Sequence, residues 1–173
     1  MTRSLARSVV CAVATGDAEL AEHHRVRRAV FVAEQGIFTG DDLDPHDARD
    51  DVRHVVARVG ETVVGTVRLF PLDPATGTWQ GDRLAVLDRW RTAGAGAPLV
   101  RFAVATAAAA GGRRMVAHVQ PANQRFFERL GWVAHGAEQY AGHPHVLMTI
   151  GLGPSAGDGQ APLLDEPAPQ LGG

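Results

Sequence analysis

The stretch from Arg91 to Phe102, RTAGAGAPLVRF, runs a glycine-rich turn straight into an alanine-rich helical pattern. It limits the fold more than any other segment. The helix it opens runs from about Pro98 to Ala110 and stops at Gly111-Gly112, a suitable C-terminal cap. The runs WQGDRLAV before it and RMVAHVQ after it read as strands. A strand, a helix and a strand in succession introduce parallel character into the sheet they share.

The rest of the chain falls in place around that unit. Val9 to Ala14 reads as a first strand, and Asp17 as the cap of a helix from about Ala18 to Ala33 with Leu20, Val26, Val30 and Phe31 near helical spacing. GDDLDPHDARDD follows, six aspartates in twelve residues, a loop or a frayed short helix. HVVARVGETVVGTVRLF is a hairpin: Val55, Ala57 and Val59 alternate with more polar neighbours, Gly60-Glu61 turns, and Val63, Gly65 and Val67 continue the alternation. NQRFFERL is a short helix, and WVAHGAEQY and HVLMTIGL are two more strands. At 173 residues this is one domain, a mixed α/β (α+β) sheet over 1–151, with a Gly/Pro-rich tail at 152–173 expected to be disordered.

Composition removes several function classes. The chain has no lysine, so a Schiff-base lysine and a phosphate-loop lysine are both excluded. A net charge of −2 gives no reason to expect nucleic acid or an anionic membrane as partner. The lone Cys11 excludes an internal disulfide, fits a reducing compartment and reads as a small buried hydrophobe. The apolar run Val9 to Ala14 is shorter than the ~7–15 residues of a signal-peptide core. No stretch approaches the ~20 apolar residues of a membrane span. The chain therefore reads as cytoplasmic.

The glycine-rich turn has features that can take an anion. A helix start carries unpaired N–H groups and partial positive charge. Gly94 and Gly96 let the backbone come close to a ligand, and Arg91 adds a planar cation beside it, while Pro98 removes one N–H donor. A nucleotide P-loop needs the missing lysine, and a dinucleotide turn needs a third glycine where Leu99 stands. An ordinary strand-to-helix turn whose glycines only ease packing stays open at this point.

Four motifs in order resemble the GNAT family of acyl-coenzyme-A-dependent N-acetyltransferases: VRRAVFVAEQGIF, GDRLAV leading to RTAGAG, AHVQPANQRFFERLGW, and GHPHVLM. RTAGAG matches R/Q-x-x-G-x-G/A, and the set, spanning about Val26 to Gly151, is similar to the nitrogen-starvation type and the ElaA-like branch. The resemblance implies a GNAT-like acyl-CoA N-acyltransferase fold in which two parallel strands splay apart. It implies acetyl-CoA as cofactor, with its pantetheine arm on the backbone of Leu84, Ala85 and Val86. Its pyrophosphate would lie on Arg91 and the N–H groups of Thr92, Ala93, Gly94, Ala95, Gly96 and Ala97. Asn123 and Phe126 are the further positions that it places against the cofactor.

Acetyl transfer to an amine needs a base, since the attacking nitrogen must be neutral, and something to protonate the departing thiolate. His118 is the first candidate base: it lies on a strand bordering the splay, facing away from Ala117 and Val119, and an unperturbed imidazole suits the task. Asp82 is the second, with a salt-bridged strand-end aspartate as its plain alternative. The resemblance puts a tyrosine acid where this chain has Phe127. Tyr140, the only tyrosine and expected in the loop before the last strand, is the candidate acid. Glu34 and His145 are placed at the substrate. His135, His143 and His145 lack clear ligand spacing and no metal is assigned, while His54 reads as structural.

The acidic stretch Asp41 to Asp51 either draws in a cationic amine or is a solvated loop. The acceptor is read as a primary amine of a small molecule or a peptide, and association as a homodimer is left open. The rival readings are a silent acyl-CoA-binding regulatory module and a protein-interaction domain.

Overall fold

The computed structural model describes residues 8–153. Seven strands form one sheet in the order β1-β2-β3-β4-β5-β7-β6. They are β1 (Val9–Val13), β2 (Arg53–Val59), β3 (Thr62–Asp73), β4 (Thr78–Val86), β5 (Arg114–Val119), β6 (Val133–Tyr140) and β7 (His143–Gly151). The helices are α1 (Gly16–Arg27), the single turn α2 (Asp88–Arg91), α3 (Gly96–Ala109) and α4 (Gln124–Arg129). Every strand pair is antiparallel except β4 with β5, which α3 connects. This is the mixed single-domain sheet expected from the strand–helix–strand unit. No helix of the described residues is long and apolar enough to cross a membrane.

Two apolar clusters cover the two faces. One joins Leu99, Val100, Ala103 and Ala107 of α3 to Val55, Ala57, Leu69, Met115 and Ala117 of the sheet. The other joins Val26, Val30 and Phe31 of the first helix to Val56, Val63 and Ala85. Each fully buried Val or Leu side chain contributes roughly 1.5–3 kcal/mol, so these clusters hold the layers together. Gly65 is needed where α3 crosses β3: a Cβ there would lie 2.8 Å from Leu99 Cδ1.

Three details differ from the sequence-based expectation. The β2–β3 register shifts after Ala57, leaving Val64 as an extra residue on β3. This bulge sends Val63 to the α1 face and Val64 to the α3 face, so the simple alternation through Val63 does not continue. The first helix starts two residues early, with Thr15 at its N-cap, whose N–H donates to Glu19 Oε2 at 3.0 Å, and Asp17 makes no cap. It widens into a π-helical segment over Arg28–Glu34, which carries Val30 and Phe31 onto the sheet. Leu152, placed in the expected tail, is instead buried in the α3 cluster, its N–H donating to the Arg113 carbonyl at 2.9 Å. The rest of the expected tail, from 154 onward, lies outside the described residues.

The acidic stretch is tied down at Asp42, Asp44 and Asp47, while Asp41 and Asp50 stay exposed. Arg27 and Arg68, both fully buried, reach into it from α1 and β3. Arg27 bonds Asp42 and Asp47, each at 2.7 Å, and Arg68 bonds Asp44 at 2.6 Å and Asp47 at 3.0 Å. Asp44 caps the short 3-10 turn Pro45–Ala48 by accepting from the His46 N–H, and Asp47 accepts from the Asp44 N–H. Burial pushes the Asp47 carboxyl up, but hydrogen bonds from His54 and Arg27 outweigh this and hold it far below the usual carboxylate range. Breaking one such buried pair leaves an uncompensated charge and costs ~3–5 kcal/mol.

His23 is fully buried beneath this network. Its Nδ1–H donates to the Val55 carbonyl at 3.0 Å, leaving Nε2 to accept from Arg27 Nη1 at 3.3 Å. Burial first, then the nearby Arg27, His54 and His24, push its pKa down to about 2. The unfolded chain binds a proton at His23 near pH 6.5 while the folded chain does not. Stability is therefore fully present above about pH 6.5 and is lost as the pH falls from there. Urea denaturation at pH 7.5, 6.5 and 5.5 should show a decline of up to ~1.4 kcal/mol per pH unit from this histidine, shallower in His23→Gln.

Candidate active site

The parallel pair β4–β5 is zipped only at its start, through Thr78↔Arg114, Trp79↔Met115 and Gln80↔Val116. Beyond Gln80 the two strands part. The cause is a bulge in β4, where Arg83 and Leu84 stand against the single residue Val67 between the pairs Thr66↔Ala85 and Arg68↔Asp82. Arg83 takes a left-handed backbone, φ 51°, rare for a residue with a side chain, and Thr66 Oγ1 pins its carbonyl at 3.0 Å. A cleft fills the resulting gap. Leu84, Val100, Ala103, Phe127 and Trp132 line it on the α3 side; Phe31, Phe38, Asp82 and His118 line it toward α1.

Leu84 lines the cleft from β4, and Ala85 and Val86, both buried, follow it along the strand. β3 takes one edge of this strand, through Ala85↔Thr66 and Val86↔Gly65, and the other edge faces the gap. The turn follows at once. Thr92, Ala93 and Gly94 are exposed, Gly94 has φ 81°, and Ala95 is the buried N-cap of α3, with Gly96 and Ala97 in its first turn. The Gly94 N–H itself bonds the Arg91 carbonyl at 3.2 Å. Phe126 packs over the turn: a Cβ on Gly96 would lie 3.3 Å from its ring. Asn123 stands at the cleft's edge just before α4.

Arg91 and Glu34, placed by sequence at cofactor and substrate respectively, meet each other. The Arg91 Nε–H donates to the Val86 carbonyl at 3.0 Å, and its two Nη groups clasp the Glu34 carboxylate, Nη2 at 2.6 Å. That clasp holds the Glu34 carboxyl below its ordinary value. Both side chains are more than a third exposed, so the pair is water-screened and exchangeable.

His118, Tyr140 and His145 are brought together at the other wall. The His118 ring stacks on Tyr140, centroids 3.7 Å apart and 2° from parallel, and its Nδ1 hydrogen-bonds Glu138 Oε1. An ionised carboxylate only accepts, so Nδ1 carries the proton and Nε2 of the neutral ring keeps its lone pair. A base oriented by a third group is the arrangement that general-base chemistry requires. Tyr140 is the last residue of β6 rather than a loop residue, paired with His143; its hydroxyl lies 3.5 Å from Gln80 Nε2. His145 sits edge-on to it at 5.7 Å. Asp82 lines the cleft, but Arg68 holds it through two 2.7 Å bonds. Phe127 is buried edge-to-face on Trp132 and offers no hydroxyl.

Glu138 was not anticipated. Its signal was present, since alternation places it on the same strand face as Tyr140, but only the register tells which strand faces that pair. β6 shifts register between Ala134 and Gly136, which helps aim Glu138 and Tyr140 at His118 across β7. Among the described residues, His24, Asp47 and His54 lie within 4.8 Å of one another in their ligating atoms. The Asp47 oxygens, however, already accept from Arg27, Arg68, His54 and the Asp44 N–H, which leaves no lone pair for a cation. Of the three late histidines, His135 bonds Thr149 Oγ1 at 2.6 Å.

The model of the acetyltransferase (GNAT) family matches residues 20–132. A Bacillus subtilis (strain 168) protein described as a candidate acetyltransferase is 31% identical over 137 residues, 78% of this chain and 91% of that protein. Among solved structures, Escherichia coli ElaA superposes with a TM-score of 0.70 at 21% identity, covering 82% of this chain and 97% of that one. An aminoglycoside 6'-N-acetyltransferase complexed with coenzyme A superposes with a TM-score of 0.66 at 16% identity, covering 84% and 98%.

The bonding of Asp82 has a measurable consequence. Asp82→Ala should lower the unfolding free energy by ~3–5 kcal/mol, read from urea denaturation, because buried Arg68 loses its bidentate partner. A carboxylate serving chemistry alone would leave that value unchanged.

Proposed function

Since the chain belongs to the acetyltransferase (GNAT) family, we propose that it moves an acetyl group from acetyl-CoA to the primary amine of a small molecule or peptide. The observation that carries this reading is the splayed strand pair with an oriented histidine on its wall, His118 with Glu138 at Nδ1. The residues present fit the cofactor. An open β4 edge meets the extended arm, and a glycine turn, a helix start and a guanidinium meet the diphosphate. The solved aminoglycoside enzyme of similar fold holds coenzyme A, which supports the same type of cofactor here.

Bound acetyl-CoA supplies an activated acyl carbon as a thioester. The protein's own residues do the rest. Leu84, Ala85 and Val86 position the arm, Arg91 and the turn Thr92–Ala97 hold the diphosphate, and Asn123 and Phe126 flank it. His118 Nε2 removes the proton from the acceptor nitrogen, and Glu138 stabilises the imidazolium that forms. Tyr140 is the acid available on the same wall. Asp82 maintains the wall through Arg68 and acts as no base. Arg91 exchanges the Glu34 carboxylate for the diphosphate, both being bidentate partners of a guanidinium. A second reading, a silent acyl-CoA-binding module, is favoured by Phe127 standing where the family resemblance puts a tyrosine.

Calorimetric titration with acetyl-CoA combined with a thiol-release assay separates the readings. Binding without release for any amine would establish the silent module, and no binding would remove both. His118→Ala should lower turnover at least ~100-fold, the usual size of a general-base effect, with cofactor affinity within about twofold of wild type. Arg91→Ala should weaken acetyl-CoA binding ~10-fold or more while leaving the melting temperature close to wild type, as expected for an exposed ion pair.

A further inference from the structure

The charges around the acceptor side of the cleft are unevenly used. Each carboxylate there already has a cationic or imidazole partner: Asp82 binds Arg68, and Glu138 binds His118. From the acidic stretch, Asp42, Asp44 and Asp47 are taken by Arg27, Arg68 and Arg83, and no residue of that stretch lines the cleft. A polycationic amine would find no free anion on this wall.

Arg83 is in the opposite position. It lines the cleft, and its guanidinium is fixed without being saturated. Its Nε–H donates to Asp42 Oδ2 at 3.0 Å, and Nη2 donates to the Asp42 carbonyl at 3.1 Å and to Asp44 at 3.3 Å. Nη1 has no hydrogen-bond partner among the described residues. The guanidinium carbon lies 4.8 Å over the ring of Phe38, itself a lining residue, which fixes its plane. The side chain hangs from the left-handed bulge position, a strained backbone that the surrounding bonds must hold. An arginine so constrained, with one amino group left unbonded beside an apolar wall of Phe31, Ile37 and Phe38, suits a planar anion carried on an apolar molecule.

We propose that the acceptor is an α-amino acid with an apolar side chain, its carboxylate bound by Arg83 and its side chain held by Phe31, Ile37 and Phe38. This rests on the acyl-transfer reading given above and names the substrate class for it. In the transfer, the amino nitrogen bonds to the acyl carbon and the carbon–sulfur bond of the thioester breaks. The α-ammonium first gives one proton to His118 Nε2, which frees the nitrogen lone pair. The second N–H proton, released as the amide forms, goes to the sulfur, which leaves with the electron pair of the broken bond as the free thiol.

The test compares acid with amide. N-acetyl-L-leucine, N-acetyl-L-leucinamide and spermidine are titrated into the full chain saturated with coenzyme A. Thiol release from acetyl-CoA is then measured with L-leucine, L-leucinamide and spermidine. The acid should bind at least ~10-fold more tightly than the amide, the usual size of one charge-assisted hydrogen bond. Arg83→Gln should shrink that ratio to within about twofold. If this variant fails to fold in a thermal melt, the wild-type comparison alone decides.

Equal or tighter binding of the amide, tighter binding of spermidine, or no binding of the acid would overturn the proposal. Failure of the two readings looks different. Thiol release with the amide or spermidine but not with leucine would leave acyl transfer standing and remove this acceptor. A carboxylate preference in binding without thiol release from any of the three amines would leave the Arg83 site standing and remove acyl transfer.

Discussion

The structure depends on Arg68. Fully buried on β3, its guanidinium binds Asp82 on the neighbouring strand and Asp44 and Asp47 in the acidic stretch. One side chain therefore ties β3 and β4 to a loop that has little apolar surface of its own. Arg27 repeats the pattern from α1 and Arg83 from the bulge, so helix, loop and strand are locked by alternating charges. Buried ion pairs of this kind add little net stability over an apolar core, but removing one partner is costly. Their effect here is geometric, since they set where the loop lies and keep the bulged part of β4 in place.

The cleft is the other side of that arrangement. A parallel pair in an otherwise antiparallel sheet needs a crossover helix, and the crossover begins at the end of the strand that the bulge has turned aside. Past Gln80 the edges of β4 and β5 no longer satisfy each other, and an open strand edge is a ready template for an extended ligand. The glycine turn stands at the end of the same strand. Backbone edge, helix start and Arg91 thus lie in sequence along one path, which is why a long cofactor whose extended arm joins a diphosphate suits this fold.

Titratable side chains gather on the far wall. His118 comes from β5, while Glu138 and Tyr140 come from β6, two strands away. The β6 register shift lets that strand reach over β7. The buried Phe127 keeps the α4 side apolar, so the hydroxyl available to the site is on β6 instead.

Much of this was legible in the amino-acid sequence. Local periodicity, turn residues and the glycine stop after the long helix determined the order of strands and helices, because those signals depend on neighbours a few residues apart. The motif set determined the family, and alternation along β5 determined that His118 faces away from Ala117 and Val119. What the sequence could not settle was which distant charges meet. Asp82 was a second candidate base beside its plainer reading as a salt-bridged aspartate, but no pattern named Arg68 as its partner, and the acidic stretch could not be matched to Arg27, Arg68 and Arg83 by pattern. Glu138 and the Glu34–Arg91 clasp were hidden for the same reason. Long-range ion pairing and strand register are set by three-dimensional packing, where bulges at Val64, Arg83 and β6 change which face a side chain takes, and no local spacing encodes that change.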